Sequence, residues 1–444
     1  MDLMTWVAIG IFAVTIVVVI AGWIDSTAAA LLGVVAMIWF GIMTEDDAFK
    51  IVDWNVMAIL ISIWTIAGYF GRSGVPEWLS VQALRISGGK PGLLVVLLSA
   101  VAGFVSMVVD NVVVILMFAP VAIPIAKHLG LPLVPLVLMI GFSANFMGSA
   151  MLLGDLPPQM LHSVSGAEFG DFIWHQGRPS SFPILSVTFL ITLGIMYWLT
   201  FRKFKAAPPV AGADGTGGSH MPSAKIPDPL FAGIVLAMFV LTIVAMAFRE
   251  VLNVKLGFIA MSGALLLVLI LELMGDRLKK PSFEDIVQGL DWRAVFFYIA
   301  LFALVGGLEK TGILEKLAHG LQPIFKESPA LGATLLYWVT IPIVGIVEHD
   351  AYILTFLYTI RDMGQQGVNP WPLWWMLLWA GTLGSNLTIA GAPALYVANN
   401  ICEREEGRKI PLGEFLRWSV VFTLISSVIC YVFGMLIWVL PFVK

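Results

Sequence analysis

The sequence predicts an all-α, polytopic membrane protein built from two inverted-topology repeats, with about ten transmembrane helices, two re-entrant hairpins and two broken helices. Three observations predict it. Of 444 residues, 59% are hydrophobic and only 12% are charged, against about 25% charged in an ordinary soluble domain. Four long apolar segments are each interrupted near the middle by polar or small residues. Finally, the same residues return at one spacing: Asp53-Trp54 and Asp291-Trp292 (291 − 53 = 238), Gly68 and Gly306, Gly74 and Gly312. Such internal repetition is the mark of secondary transporters.

Taken in order, 4–24 and 26–43 read as the first two spans. The first is long enough to cross and lacks a basic flank and a small-residue cleavage site, so it reads as a retained helix, not a signal peptide. An acidic connector, Glu45 to Asp47, precedes a third span over 54–71. Residues 75–86 form a short interfacial helix, bracketed by Arg72, Arg85 and Lys90. Segment 92–126 follows, with Asp110 its only charged residue. One crossing needs about 20 apolar residues and two crossings with a turn need about 40, so a re-entrant hairpin with its tip at Asp110-Asn111 fits the length best. The alternative is two ordinary helices with Asp110 at the surface. A broken helix over 132–161 and a span over 182–201 complete the first repeat, 1–205. The low-complexity stretch 206–226 is a flexible cytoplasmic linker.

The second repeat, 227–444, mirrors this order. Spans over 227–248, 258–274 and 292–308 lead to an interfacial helix over 313–325, a hairpin over 329–360, a broken helix over 371–401 and a last span over 415–439. Each half then has five crossings. Five is odd, so the second half is inverted. With the linker inside, Arg72, Arg85, Lys90, Lys127, Arg202 to Lys205, Arg277 to Lys280 and Arg404 to Lys409 all fall on the cytoplasmic side, which is the positive-inside pattern.

The four interruptions supply the candidate chemistry, because inverted-repeat transporters bind cargo where broken helices meet at the midplane. Asp110 falls on Glu348 (110 + 238) and Asn111 on His349, with Asp350 beside them. A carboxyl in the bilayer core is costly unless paired, protonated or ion-bound. Asp110, Glu348, His349 and Asp350 are therefore the expected proton-coupling group. Asn111, Ser143, Asn145, Gly148, Ser149, Ser385, Asn386, Thr388 and Gly391 are the expected cargo-binding set, since they let backbone open and satisfy freed N–H and C=O groups. The ordinary reading of any one of them is helix packing.

Asp155 reads as a helix cap in the outer half of its segment. The Trp residues of 371–379 read as an interfacial belt. Ser106, four residues before Asp110 and so on the same helix face, is the one hint of a nucleophile, but no matching His accompanies it in the hairpin, and a catalytic role is not expected. One His between two acids is too little for a metal site. Cys402 and Cys430 form no redox or metal motif, and no basic run suggests nucleic acid. No cofactor is expected.

The stretches MVVDNVVVILMFAPVAIPIA, SANFMGSAMLLGDLPPQML and GTLGSNLTIAGAPALYVANNI resemble the ArsB/NhaD permeases of the ion transporter superfamily. The resemblance covers nearly the whole chain. It implies a bacterial inner-membrane secondary transporter, cargo at the hairpin tips, elevator-like movement and homodimerisation through a scaffold. It also implies arsenite or antimonite efflux, in which an accessory ATPase is a further partner, or sodium/proton antiport. Met151 stands where the family has a Thr that could ligate sodium, which favours efflux. Acids at both hairpin tips disfavour a small anion as cargo.

Overall fold

The computed structural model describes residues 3–21, 23–204, 225–347 and 349–442. The expected linker lies outside them apart from its last two residues, and so does Glu348. The first half runs α1 (Leu3–Ala21), α2 (Ser26–Trp39), α3 (Glu45–Ile51), α4 (Trp54–Gly71), α5 (Val75–Ser87), α6 (Pro91–Ser106), α7 (Asn111–His128), α8 (Leu133–Gly148), α9 (Leu156–Ser165) and α10 (Ser181–Leu199). The second half runs α11 (Pro229–Ala247), α12 (Arg249–Leu252), α13 (Leu256–Met274), α14 (Phe283–Gln288), α15 (Trp292–Lys310), α16 (Ile313–Glu327), α17 (Pro329–Val344), α18 (His349–Gln365), α19 (Pro370–Ser385), α20 (Pro393–Glu406) and α21 (Leu412–Gly434). Among the described residues the only strands are the two-residue β1 (Trp174–His175) and β2 (Arg178–Pro179), paired antiparallel.

The repeat extends to single hydrogen bonds. Thr44 and Asp47 form a capping box at the start of α3, and Ser282 and Asp285 form the same box on α14 (282 − 44 = 238). The reciprocal bonds satisfy N–H groups that have no partner inside a first turn. Trp54 Nε1 donates to the Phe49 carbonyl at 3.0 Å, and Trp292 Nε1 to the Val287 carbonyl at 2.9 Å. Asp53 caps α4 and Asp291 caps α15. Gly74 and Gly312 both hold left-handed backbone, φ +81° and +69°, at the turns into α5 and α16, where a Cβ would be strained.

The two halves are inverted. Lys310 at the end of α15 pairs with Asp47, and Gly306 packs on Ile51. At the other end of α4, Gly68 packs on Ile286 of α14. The start of α4 is therefore level with the end of α15, and the reverse, so the two helices run antiparallel. Each half also lends a helix to the other. α2 packs along α15, with Thr27 Oγ1 donating to the Arg293 carbonyl at 3.0 Å. α13 packs along α4, with the Gly257 N–H donating to Asn55 Oδ1 at 2.8 Å. Close helix contacts use small residues, as lipid supplies little hydrophobic drive between helices: Gly33 seats Thr15 of α1, and Gly263 seats Thr242 of α11.

Among the described residues, seven helices are long and apolar enough to cross a membrane: α4, α7, α10, α11, α13, α15 and α21. α1 and α2 are shorter apolar helices there, and α8 and α19 are interrupted, which leaves six of the expected ten; the seventh is α7. α7, expected as a hairpin arm, is itself 18 residues long and carries Pro120 and Pro124. The expected tips fall at helix breaks, at 107–110 between α6 and α7 and, among the described residues, at 345–347 between α17 and α18. Both broken helices are present, with α9 reaching Ser165 and α20 reaching Glu406, past the expected 161 and 401.

Two local expectations fail. The Trp run is interior, not interfacial: Trp375 and Trp379 are fully buried and stacked on each other, and Trp375 also packs on Trp438. Trp379 Nε1 donates to Ser181 Oγ at 3.0 Å, which satisfies the one polar atom of the indole. Ser106 does not share a helix face with Asp110, because it ends α6 while Asp110 caps α7.

Candidate functional site

A cavity of about 220 Å³ lies where the halves meet, lined by both helix-break regions. Asp110 and Asn111 come from the first tip, His349 and Asp350 from the start of α18, Asp155 from the first broken helix and Pro393 from the second. α4 adds Trp64, Gly68 and Arg72, and the second half adds Asp285, Asp291 and Tyr298.

Each side chain is placed by local backbone chemistry. Asp110 Oδ1 accepts from the N–H groups of Val112 and Val113 at 2.9 and 3.3 Å, the first free donors of α7. Cap and helix end together fix the position of the Asp110 carboxyl at the start of α7. Asp155 is indeed a cap, accepting from the Leu156 N–H at 2.9 Å. It is not peripheral, however: its Oδ2 accepts from Asn111 Nδ2 at 2.9 Å. The close approach needs Gly154, where a Cβ would stand 2.2 Å from the Ser106 carbonyl oxygen. His349 Nε2 and Asp350 Oδ1 are 3.4 Å apart, and both residues are about 1% exposed.

Behind the cavity lies a second layer. Asn111 Nδ2 also donates to Asn145 Oδ1 at 3.1 Å. Asn145 Nδ2 in turn faces the Thr382 carbonyl, Ser385 Oγ and Asn386 Oδ1 at 3.2, 2.9 and 3.2 Å. Ser149 Oγ and Thr382 Oγ1 are 2.5 Å apart. Thr388 Oγ1 donates to the Gly345 carbonyl, tying the second break to the second tip. Gly391 lies against the Ser385 carbonyl, where no Cβ fits, and Gly148 sits against Asp155.

The structure therefore divides the expected residues. Asp110, Asn111, His349 and Asp350 face the cavity together. Ser143, Asn145, Gly148, Ser149, Ser385, Asn386, Thr388 and Gly391 do not line it. They build the α8–α19 crossing behind it, and Ser143 Oγ is buried without a hydrogen-bond partner among the described residues. Glu348 falls outside the described residues. Sequence reasoning missed Asp155, Asp285, Asp291, Arg72 and Tyr298 as lining groups. The repeated Asp-Trp pair pointed at Asp291, but it read only as a helix start.

Fold and site together define a class: an α-helical, polytopic membrane transporter with inverted halves and a polar cavity between them. The chain belongs to the CitMHS family of citrate transporters, which matches residues 16–380 and lies within the ion transporter superfamily. It is similar to the uncharacterized transporter Rv2685 of Mycobacterium tuberculosis, 28% identical over 97% of this chain and 98% of that one. The magnetosome protein MamN of Magnetospirillum gryphiswaldense is 22% identical, covering 95% of this chain and 98% of its own. The human P protein is 22% identical over 86% of this chain and 53% of its length. None of these relatives is named for a cargo, and the family match supports the superfamily without singling out its ArsB/NhaD branch.

Proposed function

We propose that this transporter is a proton-coupled efflux carrier of the bacterial inner membrane for a small neutral hydroxide, arsenite or antimonite. The observation that carries the reading is the charge of the cavity. Asp110, Asp155, Asp285, Asp291 and Asp350 face it, against one guanidinium, Arg72, and one imidazole, His349. At about 4 Å and an effective dielectric of about 20, each like-charge pair costs about 4 kcal/mol. A bare small anion is thus opposed several times over. Citrate, which the family's description brings to mind, would enter only with its own charges protonated or masked by a cation. A neutral trihydroxide needs no countercharge, and its O–H groups are donors in a cavity rich in carboxylate acceptors. The volume suits one such solute with a few waters, each taking about 30 Å³. Asp110, with Glu348, His349 and Asp350, carries the exchanged proton, and the chain works as a homodimer with an elevator-like movement.

The same carboxylates favour a second reading, sodium/proton antiport, because hard oxygen donors suit a hard cation. Reconstituted vesicles separate the two. Under an imposed proton gradient the efflux reading expects arsenite or antimonite movement and no proton release on adding sodium. Sodium-driven proton release without arsenite flux would replace it with the antiporter.

A further inference from the structure

Because α4 and α15 are antiparallel repeat mates, the molecule has two equivalent ends, and they differ in one respect. At the Asp53 end the start of α4 is stitched to α9. Ser163 Oγ donates to Asp53 Oδ2 at 2.5 Å, and Asn55 Nδ2 lies 3.3 Å from His162 Nε2. At the other end the counterparts of Asp53 and Asn55 are Asp291 and Arg293 (offset 238). The helix starts Leu156 and Pro393 (393 − 156 = 237) make Asn399 and Asn400 the counterparts of His162 and Ser163. The equivalent contacts are absent among the described residues. Instead α15 and α20 face each other across a vestibule of about 580 Å³, with Asp291, Arg293 and Tyr298 on one side and Pro393 and Tyr396 on the other. It shares Asp291, Tyr298, Asp350 and Pro393 with the central cavity, so it is that cavity's way out.

The side chains at the open end are equipped for the missing contacts. Arg293 is turned to Asp25, in the connection between α1 and α2. Asn399 is 5% exposed; its Nδ2 donates to Glu403 Oε1 at 3.2 Å, while its Oδ1 is buried with no hydrogen-bond partner among the described residues. Asn400 lies one turn beyond Tyr396, which lines the vestibule. By the repeat's own correspondence the Asn400 amide is the donor that would meet the Asp291 carboxylate, and the vacant Asn399 Oδ1 the acceptor that would meet the Arg293 guanidinium.

We infer that the two ends carry alternating latches. Asp53–Ser163 and Asn55–His162 close one end in the state described. In the counter-state these separate, Asn400 donates to Asp291, and Arg293 leaves Asp25 to donate to Asn399 Oδ1, closing the vestibule. The inference rests on the chain being a carrier and is independent of its cargo. Each latch closes within one half, and exchanging them moves α9 and α20 against α4 and α15. That is how an inverted repeat turns one structure into two mirror states.

Thiol pairs test it in the full chain in membranes. In a Cys402→Ala, Cys430→Ala background, Asn55→Cys with His162→Cys locks the described state, and Arg293→Cys with Asn399→Cys locks the counter-state. A third thiol, Tyr396→Cys, reports the vestibule. Both pairs are expected to oxidise to disulfides. Tyr396→Cys is expected to react with a bulky, membrane-impermeant maleimide when the first pair is locked and to lose that labelling when the second is. A first pair that oxidises while the second never does, or equal labelling in both locked forms, overturns the inference. Should the second pair prevent folding, Asp25→Asn is the alternative. It releases Arg293 and is expected to reduce Tyr396→Cys labelling, and unchanged labelling counts against the latch.

Discussion

Asn145 Nδ2 lies 3.2 Å from Asn386 Oδ1, joining the last turns of α8 and α19 at the centre of the molecule. The repeat turns this contact into another: 145 + 237 is Thr382 and 149 + 237 is Asn386, and Ser149 and Thr382 are 2.5 Å apart. The crossing is thus closed by two contacts that the pseudo-twofold exchanges. One side uses amides and the other hydroxyls, so the chain keeps the geometry while varying the chemistry.

Breaking the amide side leaves buried groups without partners. Asn145→Ala removes the acceptor of Asn111 and the donor facing Ser385 and Asn386, each loss costing about 1–3 kcal/mol. The expected result is a lower melting temperature in detergent and weakened transport, while Ser149→Ala has the smaller effect. Equal melting temperatures for wild type and Asn145→Ala would show that the crossing does not depend on this residue.

Asp110→Asn keeps the shape and an acceptor for the Val112 and Val113 N–H groups but cannot exchange a proton near neutral pH. Folded protein is expected at wild-type yield, with gradient-driven transport abolished. Wild-type flux by this variant would remove Asp110 from the coupling group.

His349 and Asp350 face the same cavity from the other half. Asp350→Asn is expected to flatten the pH profile of transport, since the substitution removes one of the proposed proton-exchanging groups. An unaltered profile would assign proton exchange to Asp110 and Glu348 alone.

Gly154→Ala tests the packing of the broken helix on the first tip. The new Cβ would stand 2.2 Å from the Ser106 carbonyl oxygen and 2.5 Å from that of Gly148, both rigid backbone. Overpacking of this kind costs about 1–3 kcal/mol and displaces Asp155 from Asn111. Reduced thermal stability and transport are expected together. Gly170→Ala, which meets nothing within 4 Å, is the control.

The pairing of Asp47 with Lys310, helped by Thr44, holds the Asp47 carboxyl well below the usual carboxylate range. A carboxyl with a depressed folded-state value adds stability above its unfolded value of about 3.9 and loses it as pH falls through the lower one. Acid titration of the wild type should show that loss. Asp47→Asn should lack it, being less stable at neutral pH and nearer to wild type in acid.

Sequence alone determined the class, the repeat and the break at Asp110. Apolar length, interruption and a constant offset are properties of the chain itself, and lipid leaves a spanning backbone few choices beyond the helix. Asp110 and Asn111 were legible as a tip because a charge isolated in an apolar run has few inexpensive places to go. Tertiary structure decided which polar residues reach the cavity. Asn145 and Asn386 looked like cargo ligands because small polar residues at a break serve equally to bind solute or to knit helices, and only the α8–α19 crossing separates the two uses. Asp155 looked like a cap and Asp291 like a helix start, which they are. Asp285 and Asp291 reach the cavity because inversion brings the start of α15 beside the end of α4, a proximity between residues more than two hundred apart in the chain that no local pattern encodes.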